Sequence, residues 1–363
     1  MENEEGQYFV ALSREPKIGA RTFLKLQKIF PNFGVLWHAK DKILREKLPE
    51  PIANSIIKLR KTVDPKEEML KLKKLGVSIL TIKDKNYPRL LTEIADPPAL
   101  LYVKGEIKAE DELAIAVVGS RKYSSYGARV TQEITAKLSE QGIAIISGLA
   151  LGIDTFAHQA ALESASGRTI AVLGCGLDQI YPSSNQQLAR RIINGRGAII
   201  SEYPIGTPAL KYNFPVRNRI IAGLSLGVLV VEATLKSGTF LTAKSALEYN
   251  REVFAVPGSI YSANSEGANN LIKMGAKVVI DANDVLAELN IKKKNCELAA
   301  KKIIPESKEE EIIITLLDKE KAIHVDKLAK TSKLDIAKVN QTLIMMEMKG
   351  KVRNLGANQY VIN

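Results

Sequence analysis

One stretch of the chain concentrates cationic, amide and aromatic side chains within a few positions. Residues 211–219 read KYNFPVRNR and come directly before an apolar run that we expect to form a strand. The groups with useful chemistry belong to Lys211, Phe214, Arg217, Asn218 and Arg219. Such cations neutralise phosphates, and a ring stacks on an unpaired base with roughly 1–3 kcal/mol per base. The stretch indicates a site for single-stranded nucleic acid; the alternative is that Phe214 is a core residue and the arginines form surface ion pairs.

Three other segments place small and basic side chains just after apolar runs rich in Val and Ile. In an open parallel sheet, ligands bind beyond the carboxyl ends of the strands, so these segments are candidates for the same site. Glycine lets a backbone approach a ligand closely, and a Ser-Gly-Thr turn at a helix start presents free N–H groups to an anion. The candidate residues in these segments are Gly119, Ser120, Arg121, Lys122, Gly148, Ser237, Gly238, Thr239 and Lys244.

Motifs for enzymatic chemistry are missing from the sequence. It contains neither G-x-G-x-x-G nor G-x-x-x-x-G-K-[ST], and neither H-E-x-x-H nor an Asp cluster suited to Mg²⁺. Asp154, His158, Glu202 and Glu232 can serve as acids or bases, but they can equally cap helices and brace loops. The 2 cysteines are too few for a disulfide framework and form no zinc cluster. We therefore expect no catalytic set, no bound metal and no cofactor.

The segments that must position these residues alternate between strand and helix patterns from residue 111 to residue 290. The apolar runs that predict strands are Leu113–Val118, Ile143–Ile146, Thr169–Leu173, Ala198–Ile200, Val228–Val231, Val253–Val256 and Lys277–Ile280. Helical periodicity lies between them, over Ala128–Glu140, Thr155–Glu163, Asn185–Ile193, Thr239–Tyr249 and Ala268–Met274. Strands that are apolar on both faces and alternate with helices are typical of a parallel sheet covered on both sides. The pattern predicts an α/β fold with a Rossmann-like, doubly wound, mostly parallel sheet.

The rest of the chain predicts further parts around this core. Residues 1–80 read as a domain of short amphipathic helices, and residues 81–290 comprise the Rossmann-like core with its lead-in segment. The Lys-rich residues 291–308 are expected to form a linker, and residues 309–363 a winged helix with three helices and a terminal hairpin. Its third helix, predicted over 334–349, is mostly apolar, so both protein contact and DNA reading stay open.

A glycine turn, Pro16–Ala20, joins two of the N-terminal helices. Helix-hairpin-helix motifs use such a turn to present backbone N–H groups to a phosphate, although an ordinary helical turn is the simpler explanation. The turn therefore makes the N-terminal helices a candidate, but not a strong one, for a phosphate contact.

Positive charge is concentrated in the two ends of the chain. Of 52 Lys and Arg against 40 Asp and Glu, residues 1–110 hold 21 and 15, and residues 291–363 hold 15 and 10. A positive excess favours a polyanionic partner, although solvated Lys-rich helices give the same count. The middle of the chain is nearly neutral, so phosphate binding there must rely on a few placed cations. The longest apolar run is too short to span a bilayer and the first residues are acidic, so we expect a cytoplasmic protein without a membrane span.

Short motifs follow one another in a fixed order along nearly the whole chain. They are Tyr87-Pro88, Pro97-Pro98, Leu101-Tyr102, Val118–Arg121, Ser147–Asp154, Ala157-His158, Gly176–Asp178, Tyr181-Pro182, Ser201–Pro204, Phe214–Gly223 and Val256–Gly258. With these motifs the chain closely resembles the bacterial DNA-processing protein A family, also called DprA or Smf.

The resemblance implies a sterile-alpha-motif-like helical domain, a Rossmann-like DNA-binding core and a winged helix. It also implies a non-enzymatic protein that binds single-stranded DNA, forms a homodimer through the core and hands the DNA to the recombinase RecA during natural transformation or general recombination. The family's DNA pocket maps onto Gly119, Ser120, Arg121, Gly148, Lys211, Phe214, Arg217, Asn218 and Arg219. Leu151 and Ser183 stand where some relatives carry a basic residue, which leaves the edge of the basic groove open.

Two other functions stay open from the sequence. Lysine-decarboxylase-like phosphoribohydrolases are similar in having such a sheet and a Gly-Gly-x-Gly-Thr-x-x-Glu turn. Here the related turn, residues 236–242, ends in Thr242, whose hydroxyl cannot replace an ionised catalytic carboxylate. The second alternative is a winged-helix regulator of duplex DNA, which little in the predicted third helix supports.

Overall fold

The structure, a computed structural model, describes residues 5–291, 305, 307–319, 323–332, 334–349, 351–356 and 358–362. Contacts divide the chain into two units, Met1–Lys294 and Asn295–Asn363. The expected linker over residues 291–308 lies mostly outside the described residues. That linker, and the domain boundary expected at residue 80, therefore stay predictions.

The first unit begins with helices and continues with alternating strands and helices. Its helices are α1 (Gly6–Ser13), α2 (Ala20–Ile29), α3 (Phe33–His38), α4 (Asp41–Lys47), α5 (Glu50–Leu59), α6 (Pro65–Lys74), α7 (Arg89–Thr92), α8 (Ser125–Glu140), α9 (Ile153–Glu163), α10 (Gln186–Arg191), α11 (Asn213–Gly223), α12 (Thr239–Glu248), α13 (Ala263–Lys273) and α14 (Ala282–Glu288). Its strands are β1 (Ser78–Thr81), β2 (Leu100–Gly105), β3 (Ala114–Val118), β4 (Ala144–Ser147), β5 (Thr169–Leu173), β6 (Gly197–Ser201), β7 (Gly227–Val230), β8 (Glu252–Ala255) and β9 (Lys277–Val278).

These strands form one sheet in the order β1-β2-β6-β5-β4-β3-β7-β8-β9. The seven strands from β6 to β9 are parallel, whereas β1 and β2 are antiparallel additions at one edge. The chain therefore winds outward in two directions from β3, which confirms the predicted Rossmann-like, doubly wound and mostly parallel sheet. The seven apolar runs identified in the sequence are the seven parallel strands, with β9 shorter than expected.

Helices cover both faces of the sheet, as strands without in/out alternation require. Ala116 and Val118 of β3 pack with α11, α12 and α13 on one face, in a core that includes Ile220. Ile115 and Val117 pack with α8, α9 and α14 on the other, in a core that includes Ile134. Neighbouring positions of one strand thus serve two cores, one on each face of the sheet.

The winding direction changes at β3, whose neighbours are β4 on one side and β7 on the other. At such a point the connections leave in opposite directions and open a crevice beyond the carboxyl ends of the strands. The loops that follow β3, β4 and β7 are therefore brought to one place, although they are distant in sequence.

Residues 211–219, which carry three of the six predicted cations, lead into a helix and not directly into a strand. Residues 213–223 form α11, and the apolar run after Arg219 is divided between the end of this helix and β7. Pro215 lies in the first turn of α11, where a missing N–H costs no hydrogen bond, so it does not prevent the helix. The sequence pattern also missed β1 and β2, which pair with each other and with β6.

The N-terminal helices share a core with the sheet. Phe9, Leu26 and Phe33 belong to one buried cluster with Tyr102 of β2 and Leu173 of β5. The hydroxyls of Ser13 and Tyr102 also lie within hydrogen-bond distance, 2.6 Å. The helices α1–α6 therefore pack directly against the part of the sheet that β1, β2, β6 and β5 form.

The second unit has its own fold. It contains α15 (Lys308–Lys319), α16 (Val325–Ser332), α17 (Ile336–Met348) and a sheet of β10 (Ile323–His324), β11 (Val352–Gly356) and β12 (Gln359–Ile362). Its core includes Ile313, Leu328, Val339 and Leu343. Three helices with a small antiparallel sheet confirm the predicted winged helix, and α17 is the expected third helix.

Candidate nucleic-acid interface

A cleft of about 690 Å³ opens beyond the carboxyl ends of β3 and β7. We call it the central cleft. It is lined by most of the residues that the sequence singled out, namely Gly119, Ser120, Arg121, Lys122, Lys211, Phe214, Arg217, Asn218, Ser237, Gly238 and Thr239. A small adjoining pocket contains Gly148 together with Arg121, Phe214 and Arg217. The structure thus brings together residues from four separate segments of the chain.

The ring of Phe214 is at the centre of this group. The guanidinium carbon of Arg121 lies 5.5 Å from the ring centroid, and that of Arg217 lies 5.9 Å away. The ring of Tyr181 is 5.5 Å from that of Phe214, centroid to centroid, at an angle of 32°. Cations at such distances are attracted to an aromatic face. Phe214 is only half-buried, so part of its ring stays open to the cleft.

Arg217 is almost fully buried, with 4% of its surface exposed. Its Nη1 donates to the carbonyl oxygen of Gly148, at 2.8 Å, and to that of Val172. The guanidinium therefore ties the loop after β4 to the end of β5. Burial lowers the pKa of Arg217 to about 10, against the opposing effect of Asp154, so the group keeps its charge at neutral pH.

Gly148 is needed for this arrangement. A Cβ atom at this position would lie 2.6 Å from Nη1 of Arg217, closer than real side chains approach one another. The sequence analysis assigned Gly148 to the close approach of a ligand. In the structure its missing side chain makes room for the guanidinium of Arg217.

Asp154 and His158 are occupied by structural contacts. Asp154 accepts hydrogen bonds from the backbone N–H groups of Gly148, at 3.1 Å, and Ala150, at 3.4 Å. Burial raises the pKa of Asp154, although the nearby charge of Arg217 opposes the shift. Nδ1 of His158 lies 2.7 Å from Oγ1 of Thr169, which itself donates to the carbonyl of Ile145, so Nδ1 carries the proton and donates. The loop-bracing interpretation therefore fits both residues.

Glu232 also has a bracing role. It is 1% exposed and accepts from the backbone N–H of Ser124, at 2.9 Å, and from its hydroxyl. It thereby holds the start of α8 against the end of β7. Ser120 donates to the carbonyl of Lys122, at 2.8 Å, and closes the turn that presents Arg121 to the cleft.

Arg219 and Lys244 are not brought into the central cleft. Arg219 donates to Glu202 through Nη2, at 2.5 Å, and to the carbonyl of Asp96 through Nη1, at 2.7 Å. It lines a second cleft, also of about 690 Å³, between α2 and α11. Lys244 points along α12 and forms an exposed ion pair with Glu248. Arg219 is thus ion-paired, as the alternative for the arginines has it, but the pair is buried rather than at the surface.

Several residues of the central cleft were not among the predicted site residues. Tyr181 and Thr242 line it, and Tyr181 stacks obliquely near Phe214. The Tyr181-Pro182 motif after the glycine loop that follows β5 was the signal in the sequence, but nothing in that motif indicated which ring it would meet.

Within the described ranges the chain has neither a cluster of metal ligands nor a membrane-spanning helix. Among these residues, no three His, Cys, Asp or Glu side chains are grouped as metal ligands. None of the helices described combines the length and the apolar character needed to cross a bilayer.

The fold and the cleft together define a class: α/β proteins with a Rossmann-like sheet, a cationic and aromatic cleft at its switch point, and a winged-helix unit. The model of the DNA recombination-mediator protein A family matches residues 78–290, and that of the DprA winged helix domain matches residues 297–358. The chain belongs to this DprA/Smf family of DNA-processing proteins.

Relatives and solved structures agree with this assignment. The chain is 40% identical to protein Smf of Synechocystis, in an alignment that covers 80% of this chain and 74% of that protein. It is 48% identical to DprA of Streptococcus pneumoniae, in an alignment that covers 57% of this chain and 73% of that protein. With protein Smf of Escherichia coli it shares 49% identity, over 56% of this chain and 54% of that protein. The crystal structure of the pneumococcal protein matches with a TM-score of 0.66 and 37% identity, covering 78% of this chain and 97% of that one.

The buried histidine generates a prediction about acid stability. Burial lowers the pKa of His158 to about 3, whereas a histidine in an unfolded chain titrates near 6.5. Between these values the unfolded chain binds a proton that the folded protein does not, so stability decreases as the pH falls. We expect His158→Gln to reduce this dependence by about 1.4 kcal/mol per pH unit between pH 6 and pH 4.

Denaturant unfolding at a series of pH values measures the effect. Asp154 has a raised pKa and therefore makes the folded state more stable as the pH falls, opposite to His158. Because both proteins contain Asp154, the difference between their slopes reports on His158 alone. The matched control is His38→Gln, because His38 is exposed in the folded protein. A wild-type and a His158→Gln protein with equal slopes would show that His158 titrates normally in the folded state.

Proposed function

We propose that this protein binds single-stranded DNA in the central cleft, protects incoming strands and loads RecA onto them during natural transformation or homologous recombination. It acts in the cytoplasm as a homodimer and by binding rather than by turnover. The observation that carries the proposal is the convergence of Arg121 and Arg217 on the half-open ring of Phe214 at the switch point of the sheet.

The cations at the mouth of the central cleft are free to meet phosphates. Arg121, Lys122 and Lys211 are exposed, and within the described residues none of them forms an ion pair with a carboxylate. Unpaired cations beside an open ring are the combination that holds unpaired bases without reading their sequence. Arg217 supports this mouth from inside, since its charge and its hydrogen bonds hold the Gly148 loop beside the ring.

The start of α12 adds an anion-binding feature to the same cleft. Ser237, Gly238 and Thr239 lie at the start of this ten-residue helix, whose dipole favours a phosphate; the N–H groups of Ser237 and Thr239 already donate to the carbonyl of Thr234 and to the Ser237 hydroxyl. The side chain of Asn218 reaches the carbonyl of Gly238, at 3.4 Å, so α11 and α12 present this turn together.

A solved relative supports single-stranded DNA as the ligand. The structure of DNA processing protein A from Helicobacter pylori, whose title describes a single-stranded DNA binding mode, matches with a TM-score of 0.53 and 32% identity over 59% of this chain and 95% of that one. The residues proposed here for DNA contact are Gly119, Ser120, Arg121, Lys122, Gly148, Lys211, Phe214, Arg217, Asn218, Ser237, Gly238 and Thr239. Arg219 and Lys244 are left at the periphery by their ion pairs.

A phosphoribohydrolase would need a catalytic carboxylate at position 242, where this chain has a threonine. Thr242 lines the central cleft and is almost fully buried. Its hydroxyl cannot act as an ionised group near neutral pH, and the acidic residues nearest the cleft, Asp154 and Glu232, are engaged in backbone hydrogen bonds. This favours binding without turnover.

Two substitutions in the central cleft distinguish the contribution of charge to DNA binding from the contribution of base stacking. We expect Arg121→Ala to weaken binding to a poly-dT oligomer and to reduce the log–log salt slope by about 0.7, the contribution of one phosphate contact on a single strand. Phe214→Ala should weaken binding roughly 5- to 150-fold, the equivalent of 1–3 kcal/mol of base stacking, with little change in that slope. Fluorescence anisotropy with labelled poly-dT, matched duplex and free nucleotides measures both.

Arg129→Ala is the control for charge, because Arg129 is an exposed arginine on α8 paired with Glu133 outside the cleft. It should bind as the wild type does. Preference for duplex would favour the winged-helix regulator, and turnover of a nucleotide would favour the enzyme; either result rejects the proposal.

A homodimer is favoured by the edge of the sheet that ends in β9. Met274, Val278 and Ile280 are 72%, 44% and 78% exposed around this short edge strand. Apolar side chains beside unpaired strand hydrogen-bonding groups favour association with another chain. A second copy of this chain is the partner that we propose for this edge.

Replacing one of these side chains should separate the dimer. We expect Ile280→Asp to shift the protein from dimer to monomer at micromolar concentration, because it places a charge in the apolar contact. Sedimentation velocity measures the mass. Leu70→Asp, at an apolar residue of α6 that is 57% exposed, should leave the dimer intact. A wild-type protein that sediments as a monomer would reject the dimer without affecting the proposed DNA site.

RecA loading makes a separate prediction. If the protein delivers its bound strand, the lag before RecA assembles on labelled poly-dT should shorten in its presence, and Arg121→Ala should abolish the effect. The Arg129→Ala protein should shorten the lag as the wild type does. A wild-type protein that binds the oligomer but leaves the lag unchanged or lengthens it would reject loading while DNA binding stands.

A further inference from the structure

The second cleft has a cationic wall that the proposed DNA site does not use. Lys17 and Arg21 line this cleft, and Lys25 and Lys28 continue the row along α2; we call these four residues the α2 row. Arg21, Lys25 and Lys28 are spaced by four and three residues, which keeps their side chains on one face of α2, and Lys17 lies just before the helix. Three cations of the α2 row thus share a helix face, and the fourth lines the same cleft as Arg21.

The α2 row is unpaired, unlike three other basic residues nearby. All four side chains are exposed, and among residues 5–291 no Asp or Glu lies in salt-bridge distance of any of them. By contrast, Arg14, Arg60 and Lys71 on the neighbouring helices each have a carboxylate partner. Like charges held side by side along a helix repel one another, so an anion that bridges them is favoured.

The first turn of α11 is a common wall between the two clefts. Lys211 and Phe214 face the central cleft, whereas Tyr212 and Val216 face the second cleft. Tyr212 is 68% exposed, so its ring is open to a stacking partner. A strand that leaves the central cleft past Lys211 reaches Tyr212 one residue further on, and beyond it the start of the α2 row.

The dimensions suit a few nucleotides. The second cleft holds about 690 Å³, and the ten residues of α2 rise roughly 15 Å along the helix axis. Its lining holds four cations, Arg14, Lys17, Arg21 and Arg219, against three carboxylates, Glu15, Asp96 and Glu202, two of which pair with Arg219. Cations along a backbone and one ring for the bases repeat the combination found in the central cleft.

We propose that the α2 row and Tyr212 form a second contact surface for single-stranded DNA, on which the strand continues after it leaves the central cleft. The row takes the phosphates and Tyr212 takes a base. This inference rests on the proposed function, since it extends the path of the strand that the central cleft holds.

Oligomers of two lengths distinguish binding in the central cleft from binding on the α2 row. We expect the triple variant Lys17→Gln/Arg21→Gln/Lys25→Gln to bind a poly-dT oligomer of about 6 nucleotides as the wild type does, because that length fills the central cleft. Binding to an oligomer of about 30 nucleotides should weaken at least ~10-fold at low salt, and its log–log salt slope should fall by about 2, or 0.7 for each lost phosphate contact. Tyr212→Ala should weaken only the long oligomer, without a change in slope.

The matched control removes the same charge elsewhere. Lys58→Gln/Lys61→Gln/Lys66→Gln neutralises three exposed lysines of the same helical region that do not line the second cleft. It should bind both oligomers as the wild type does. Equal losses in the two triple variants would mean bulk charge only, and unchanged long-oligomer binding in the α2-row variant would mean no contact; either overturns the inference. A wild-type protein that binds neither oligomer would instead overturn the proposed function itself.

Discussion

A buried guanidinium holds the central cleft together. Arg217 bridges the carbonyls of Gly148 and Val172, two groups at the ends of neighbouring strands, and lies beside Asp154 and Phe214. A charge so deeply buried is stable only when its hydrogen bonds and an opposite charge compensate for lost water. The carbonyls and Asp154 supply that compensation, so the loop, the strand ends and the ring depend on one another.

The parallel sheet determines where this group of residues can form. Each strand of β3, β4 and β7 is apolar on both faces and leaves the sheet at the same edge, so only the loops are free to carry polar groups. The reversal of winding at β3 keeps the connecting helices apart and leaves room above the strand ends. Apolar packing thus positions the cations without itself contacting a ligand.

The sequence predicted the seven parallel strands because a strand buried on both faces leaves a continuous apolar run. It did not predict α11, because Pro215 and a dense set of charges obscure the helical period there. Most of the cleft could be named in advance, since glycines and cations after strands are visible locally. The partners of Arg219 were not visible: Glu202 and Asp96 are 17 and 123 residues away in the chain. Side-chain pairing over such distances depends on the folded topology and has no local pattern.

The shared packing of α1–α6 and the sheet has a consequence for work with shorter fragments. A fragment that starts near residue 80 would expose one side of Tyr102, Leu173 and Ile199, which are buried against Phe9, Leu26 and their neighbours in the intact protein. The same cut falls within β1 and leaves β2 as the edge strand, so the fragment would combine exposed apolar side chains with an open sheet edge, which favours aggregation. Truncation studies of this protein therefore need the N-terminal helices, or polar replacements on that strip, to remain interpretable.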